Sequence, residues 1–180
     1  VELEVLHRTE EYAGMLQVVR EKLRLPMRLR LGLVKSGGPV ARSGLPAPAW
    51  VESEGSMPMY GTQAFAEHQV VVYVRRTFLA EVPFETAVCT MAHELSHVVL
   101  DSIAHPLRMT EEAVDLTAMF LGFRGFYLKK TTHDRVTISR AWEIGTGGAL
   151  QLVETTTTTT LWYGYLTQEE VRYAACLMQT

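Results

Sequence analysis

Two histidines four residues apart flank a glutamate in the stretch His93-Glu94-Leu95-Ser96-His97. On a helix, positions i and i+4 share one face about a turn apart, so both imidazoles can reach one ion. The glutamate between them is then placed to take a proton from water activated there. With only six histidines in 180 residues, a chance match to H-E-x-x-H on a helix-compatible stretch is rare. The expectation is a zinc ion held by His93 and His97, with Glu94 as the acid–base group.

A catalytic zinc takes three protein ligands and leaves one position open. Ile103 stands six residues after His97, where a metzincin would carry its third histidine. His105 has the wrong spacing, and Asp101 would point along the helix axis. Glu111 heads Glu111-Glu112-Ala113-Val114-Asp115, which puts carboxylates at i and i+4 on one helical face. One can bind the ion while the other accepts the second ring N–H of a ligating histidine, fixing its tautomer and orientation. Acids are favoured in a first helical turn, which by itself accounts for Glu111 or Glu112 but not for Asp115. Glu111 is therefore preferred over Glu112 as third ligand, with Asp115 supporting a histidine. For the oxyanion donor that such chemistry needs, Tyr163 and His133 rank ahead of Tyr165 and Tyr127. His7 and His68 have no assigned partner.

These residues need elements to carry them. Residues 84–101 have apolar positions at helical spacing (Ala87, Val88, Met91, Leu95, Val98), with Pro83 at the start. The β-branched run in 68–78 predicts a strand leading into that helix. A second helix is expected from an N-cap at Thr110 through Gly122. Upstream, 9–25 reads as a helix with Thr9 as N-cap, 27–33 as a half-buried strand, 35–48 as a loop, and 50–51 as the start of a short strand. Downstream, 136–138 suggests a strand, and Gly145, Gly147 and Gly148 suggest a turn. The six threonines of 155–160 fit either strand or loop. Thr167 to Glu170 is a capping box for a last helix.

H-E-x-x-H followed by a helix with E-x-x-x-D resembles the gluzincins, the thermolysin-like zinc peptidases. The segment Gln63-Ala64-Phe65-Ala66-Glu67-His68 followed by Val70-Val71-Val72 is similar to that of the family of prenyl-protein-cleaving and heat-shock membrane peptidases. Gln63 stands where that family has Asn, and the family's membrane spans have no counterpart here. The resemblance covers about residues 62–123. It implies an α+β, zincin-like fold: a small mixed sheet packed against an active-site helix and a second ligand-bearing helix. It also implies Zn²⁺ held by His93, His97 and Glu111, peptide-bond hydrolysis with Glu94 as general base, and a peptide or protein substrate. In that reading 68–78 is an edge strand that pairs with extended substrate.

Composition sets the outer bounds. A 47% hydrophobic, 21% charged chain of this length fits a single globular domain over 1–180. A net charge of −3 gives no electrostatic case for nucleic acid, and Arg28, Arg30, Arg75 and Arg76 read as a solvated face. No stretch is apolar enough for a membrane span. Two cysteines allow at most one disulfide; a buried free thiol at Cys89 favours a reducing, cytoplasmic setting. The chain begins at Val1, which leaves a processed, secreted form open. The reading from a different class is a non-catalytic zinc domain, occluded by its own 145–160 stretch. A solvent-filled cleft at the ion would count against it.

Overall fold

The computed structural model describes residues 2–41, 44–130, 133–144, 150–161 and 164–178. The chain forms two compact units, residues 1–130 with 164–180, and residues 131–163.

The larger unit is mixed α+β. Helices α1 (Glu2–Arg8) and α2 (Tyr12–Lys22) lead into β1 (Arg28–Val34). After the loop come β2 (Ala49–Ser53), the short α3 (Gln63–Glu67) and β3 (Gln69–Arg75). The three strands form one sheet in the order β1-β3-β2, with β1 parallel and β2 antiparallel to β3. The register aligns Leu29 with Val70, and both Leu31 and Val51 with Val72. One face therefore collects Leu29, Ala49, Val70, Val72 and Val74, all buried. Arg28 and Arg30 alternate onto the other face and stay exposed.

The expected edge strand is thus the central one. β3 has a partner on both sides, β1 and β2, so both of its hydrogen-bonding edges are taken. The edge beside the helices' site is β2. The expected strand over 68–78 also stops early: Arg76–Glu81 turns into a helix, α4, whose Phe78 and Leu79 are buried.

Helix α5 (Phe84–Ser102) is the axis of the unit. Thr86 through Ser96 are buried without a break, the signature of a helix surrounded by other elements rather than lying on a surface. It packs against α2, β2, β3, α6 and α7. Each buried Leu, Val or Met contributes about 1.5–3 kcal/mol relative to exposure, which offsets the cost of bringing His93 and Glu94 in among them. The helix ends in a Schellman turn: His105 N–H reaches Leu100 O at 2.9 Å and Ala104 N–H reaches Asp101 O at 3.0 Å. Ala104 takes the left-handed conformation there, with φ 49°, where glycine is the usual occupant.

The next helix, α6 (Glu111–Ala118), is shorter than the expected 110–122. It passes into a π-helical turn at Met119–Phe123 and then α7 (Arg124–Lys129). Gly122, at φ 107°, makes that break, since no other residue takes such a φ freely. Thr110 does sit at the N-cap, but its side chain makes no cap bond. Likewise Thr9 is not a cap: its hydroxyl bonds Val5 O and Glu11, and the 9–25 segment begins its helix only at Tyr12. The last helix, α8 (Gln168–Leu177), opens on the full reciprocal capping box of Thr167 and Glu170.

The smaller unit is an antiparallel pair, β4 (His133–Ile144) and β5 (Leu150–Leu161). The threonine run is strand, with Thr155 opposite Ser139 and Thr160 opposite Asp134. The expected glycine turn lies outside the described residues. No described helix is long and apolar enough to cross a membrane. Both cysteines are free, Cys89 buried and Cys176 exposed.

Candidate metal centre

α5 presents His93 and His97 one turn apart, their rings 5.0 Å apart and nearly perpendicular. The Schellman turn reverses the chain, and the connection delivers Glu111 as the first residue of α6 against them. Glu111 Oε2 lies 3.1 Å from His93 Nε2 and 3.3 Å from His97 Nε2. The ligand atoms of the three side chains all fall within 4.8 Å of one another. Donors about 2.0–2.1 Å from a tetrahedral ion stand roughly 3.3 Å apart, so the spacing suits a single ion. His93, His97 and Glu111 form a group that can hold a metal. Glu112, the alternative, is exposed on the outer side of α6.

Asp115, one turn along α6, lies on the same face as Glu111 and is buried. Its Oδ1 accepts from His93 Nδ1 at 2.8 Å and from Tyr127 Oη at 2.8 Å. Its Oδ2 accepts from the backbone N–H groups of Tyr165 at 2.8 Å and Leu166 at 3.3 Å. Burial alone would raise its pKa; the His93 hydrogen bond and charge, the Tyr165 N–H and Lys130 outweigh that and hold it at about 2. Burial likewise disfavours a charge on His93, but hydrogen bonds to Asp115 and Glu111 lift its ring to about 9. Those same hydrogen bonds from His93 and His97 hold Glu111 well below the usual carboxylate range, against a smaller opposing effect of burial. Burial pushes the Tyr127 phenol well up, with Asp115 adding to it, so it donates as a neutral hydroxyl.

Glu94 is buried beside the ligands, and burial is the main cause raising its pKa, with His93 and His97 opposing. It lines a cleft of about 320 Å³ together with His97, Glu111, and Trp50 and Val51 of β2. The cleft also takes in Asp101 and Arg108, which pair loosely at 3.7 Å. Asp101 is thus near the site without joining the ligand group. His105 is occupied in its own turn, accepting from Leu107 N–H at 3.2 Å. His7 Nε2 meets Leu79 O at 3.0 Å.

Of the oxyanion candidates, Tyr163 and the side chain of His133 lie outside the described residues. The two tyrosines ranked behind them do reach the site. Tyr127 donates to Asp115, and the Tyr165 ring stacks on His93, with centroids 5.4 Å apart and planes 21° apart. Sequence reasoning missed the role of the Gly164-Tyr165-Leu166 backbone. The available signal was a glycine directly before an aromatic residue and a capping box, which marks a segment held close against something.

No family model, curated protein or solved structure matches this chain.

Proposed function

We propose that this chain is a zinc-dependent metallopeptidase of the gluzincin type, with the zincin-like arrangement of a small mixed sheet, an active-site helix and a second ligand-bearing helix. The observation that carries the reading is the convergence of His93, His97 and Glu111 beside buried Glu94 on an open cleft. Two imidazoles and one carboxylate suit zinc, and three protein ligands leave the position that a catalytic ion needs. When bound, zinc supplies a Lewis acid and lowers the pKa of water enough for attack at neutral pH.

The remaining work belongs to the chain. His93 and His97 hold the ion from α5, Glu111 from α6, and Asp115 fixes the His93 ring through Nδ1. Glu94 takes a proton from the attacking water and returns it to the leaving amine. β2 lines the cleft and forms an edge of its sheet. An extended peptide adding to that edge gains backbone hydrogen bonds and lies along the cleft.

The test uses the zinc-loaded protein on a generic unfolded protein substrate. Cleavage is expected, lost with chelator and restored by zinc. Glu94→Gln is expected to retain zinc and lose activity by about 10²–10⁴-fold, the usual worth of a positioned acid–base group. A Glu94→Gln protein that cleaves as fast as the parent would sink the assignment. A zinc-loaded parent that cleaves nothing would favour a non-catalytic zinc domain.

A further inference from the structure

Lys130 is 5% exposed. A lysine near a surface ordinarily turns its ammonium to water and buries only its stem; this one does not. It caps the C-terminus of α7, and its Nζ lies 5.3 Å from the centre of the Tyr127 ring. Tyr127 in turn donates to Asp115. The closest measure of where the ammonium sits comes from Gly164. A Cβ at that residue would stand 2.5 Å from Lys130 Nζ and 3.4 Å from Asp115 Oδ2. The ammonium and the carboxylate therefore share the space over one bare glycine and are no more than about 6 Å apart. With φ at 141°, Gly164 keeps that space open both by its backbone and by having no side chain.

This geometry bears on the ion. A histidine that ligates a metal does so as a neutral ring. Among the described residues, the four groups that donate to Asp115 are then uncharged: the His93 ring, the Tyr127 hydroxyl and two backbone amides. A bound divalent ion brings two positive charges, but three carboxylates, Glu111, Glu94 and Asp115, surround it, so one buried negative charge still calls for a cation. We propose that Lys130 is a positioning residue for the metal centre: its buried ammonium is the counter-charge of Asp115, and through Asp115 it holds the His93 ring in its ligating orientation. Burial lowers the Lys130 pKa, with Cys89 and then Asp115 opposing it; a carboxylate within about 6 Å favours the ammonium form there.

The inference rests on the metal centre, and its test reads metal binding rather than hydrolysis. Zinc affinity by chelator competition and the visible absorption of the cobalt(II) form are measured for the parent, Lys130→Met, Asp115→Asn and the double variant. Lys130→Met is expected to lower zinc affinity about tenfold and to shift the cobalt bands, the scale seen when a group behind a ligating histidine is removed. In the Asp115→Asn background the same change is expected to cost nothing further, because the charge it balances is gone. Parent-like affinity and spectrum in Lys130→Met would overturn the proposal. So would an equal loss in both backgrounds, which marks a packing effect. If Lys130→Met does not fold, as judged by circular dichroism, Lys130→Gln keeps the polar reach and is read the same way. A chain that cleaves no peptide but shows the expected coupling retains this inference and loses only the peptidase reading. A parent chain that takes up neither zinc nor cobalt overturns this inference and the metal centre together.

Discussion

The two histidines of the centre have opposite surroundings. The His93 ring is packed on its far side: Asp115 holds Nδ1, Tyr165 lies flat on its face, and Tyr127 and Lys130 close the space behind. His97 faces the cleft with 26% of its side chain exposed, and among the described residues no carboxylate takes its second ring nitrogen. One side of the centre is dry and over-determined, the other open and loosely held. In the proposed metallopeptidase, the buried side would set the orientation and grip of the ion, and the open side would leave room for a peptide.

That division can be broken experimentally. The largest effect is expected on the open side, where Glu94→Gln would remove the proposed acid–base group: peptide cleavage is expected to be lost while zinc, measured by metal analysis, stays bound. Next is the choice between neighbouring acids. Glu111→Ala is expected to abolish stoichiometric zinc, measured by metal analysis after dialysis, while Glu112→Ala retains it. The reverse result would move the ligand one residue along α6. Third, Asp115→Asn is expected to weaken zinc 10–100-fold while leaving an ion that still binds. If zinc affinity were indifferent to Asp115, the dry side would be packing alone.

The smallest effect probes burial itself. Cys89 lies one turn before His93, and burial pushes its thiol up to about 12, against a counteracting pull from Lys130. At pH 8, well below that value, it remains a protonated thiol shielded from solvent. A thiol reagent is expected to modify one cysteine per folded chain, Cys176, and both after denaturation. Rapid reaction of two thiols in the folded protein would show that the dry side opens readily.

What the sequence made legible follows the same divide. His93, Glu94 and His97, and then Glu111 with Asp115, are marked by i, i+4 spacing within one helix, where periodicity speaks directly. The groups that complete the dry side come from further away: Tyr127 lies twelve residues beyond Asp115 and Tyr165 fifty beyond it. No local pattern encodes those meetings, so nothing in the sequence places Tyr127 and Tyr165 ahead of Tyr163 and His133. Strand position was hidden for a related reason. The valines of 70–74 state that a strand is buried, but not whether it is central. That depends on β1 and β2, the second of which is only five residues long. The threonine run offers no alternation of polar and apolar residues, and its strand is defined only by β4 opposite. Helical spacing places an end at Gly122, whereas Gly122 breaks one helical path into two.

Lys130 and Gly164, which meet over Asp115, are also the two ends between which the 131–163 unit is inserted. An ammonium in contact with Gly164 places the Cα atoms of the two residues within about 10 Å, a gap that three or four extended residues span. Topologically the hairpin is therefore a removable loop-out from a chain whose flanks already touch, the kind of position where insertions are gained and lost at little cost to the host. Replacing 131–163 by a short Gly/Ser linker should preserve the folded host unit and its zinc. The same excision removes His133 and Tyr163 in one step. Activity surviving in the shortened chain would leave Tyr127 and Tyr165 as the tyrosines of the site.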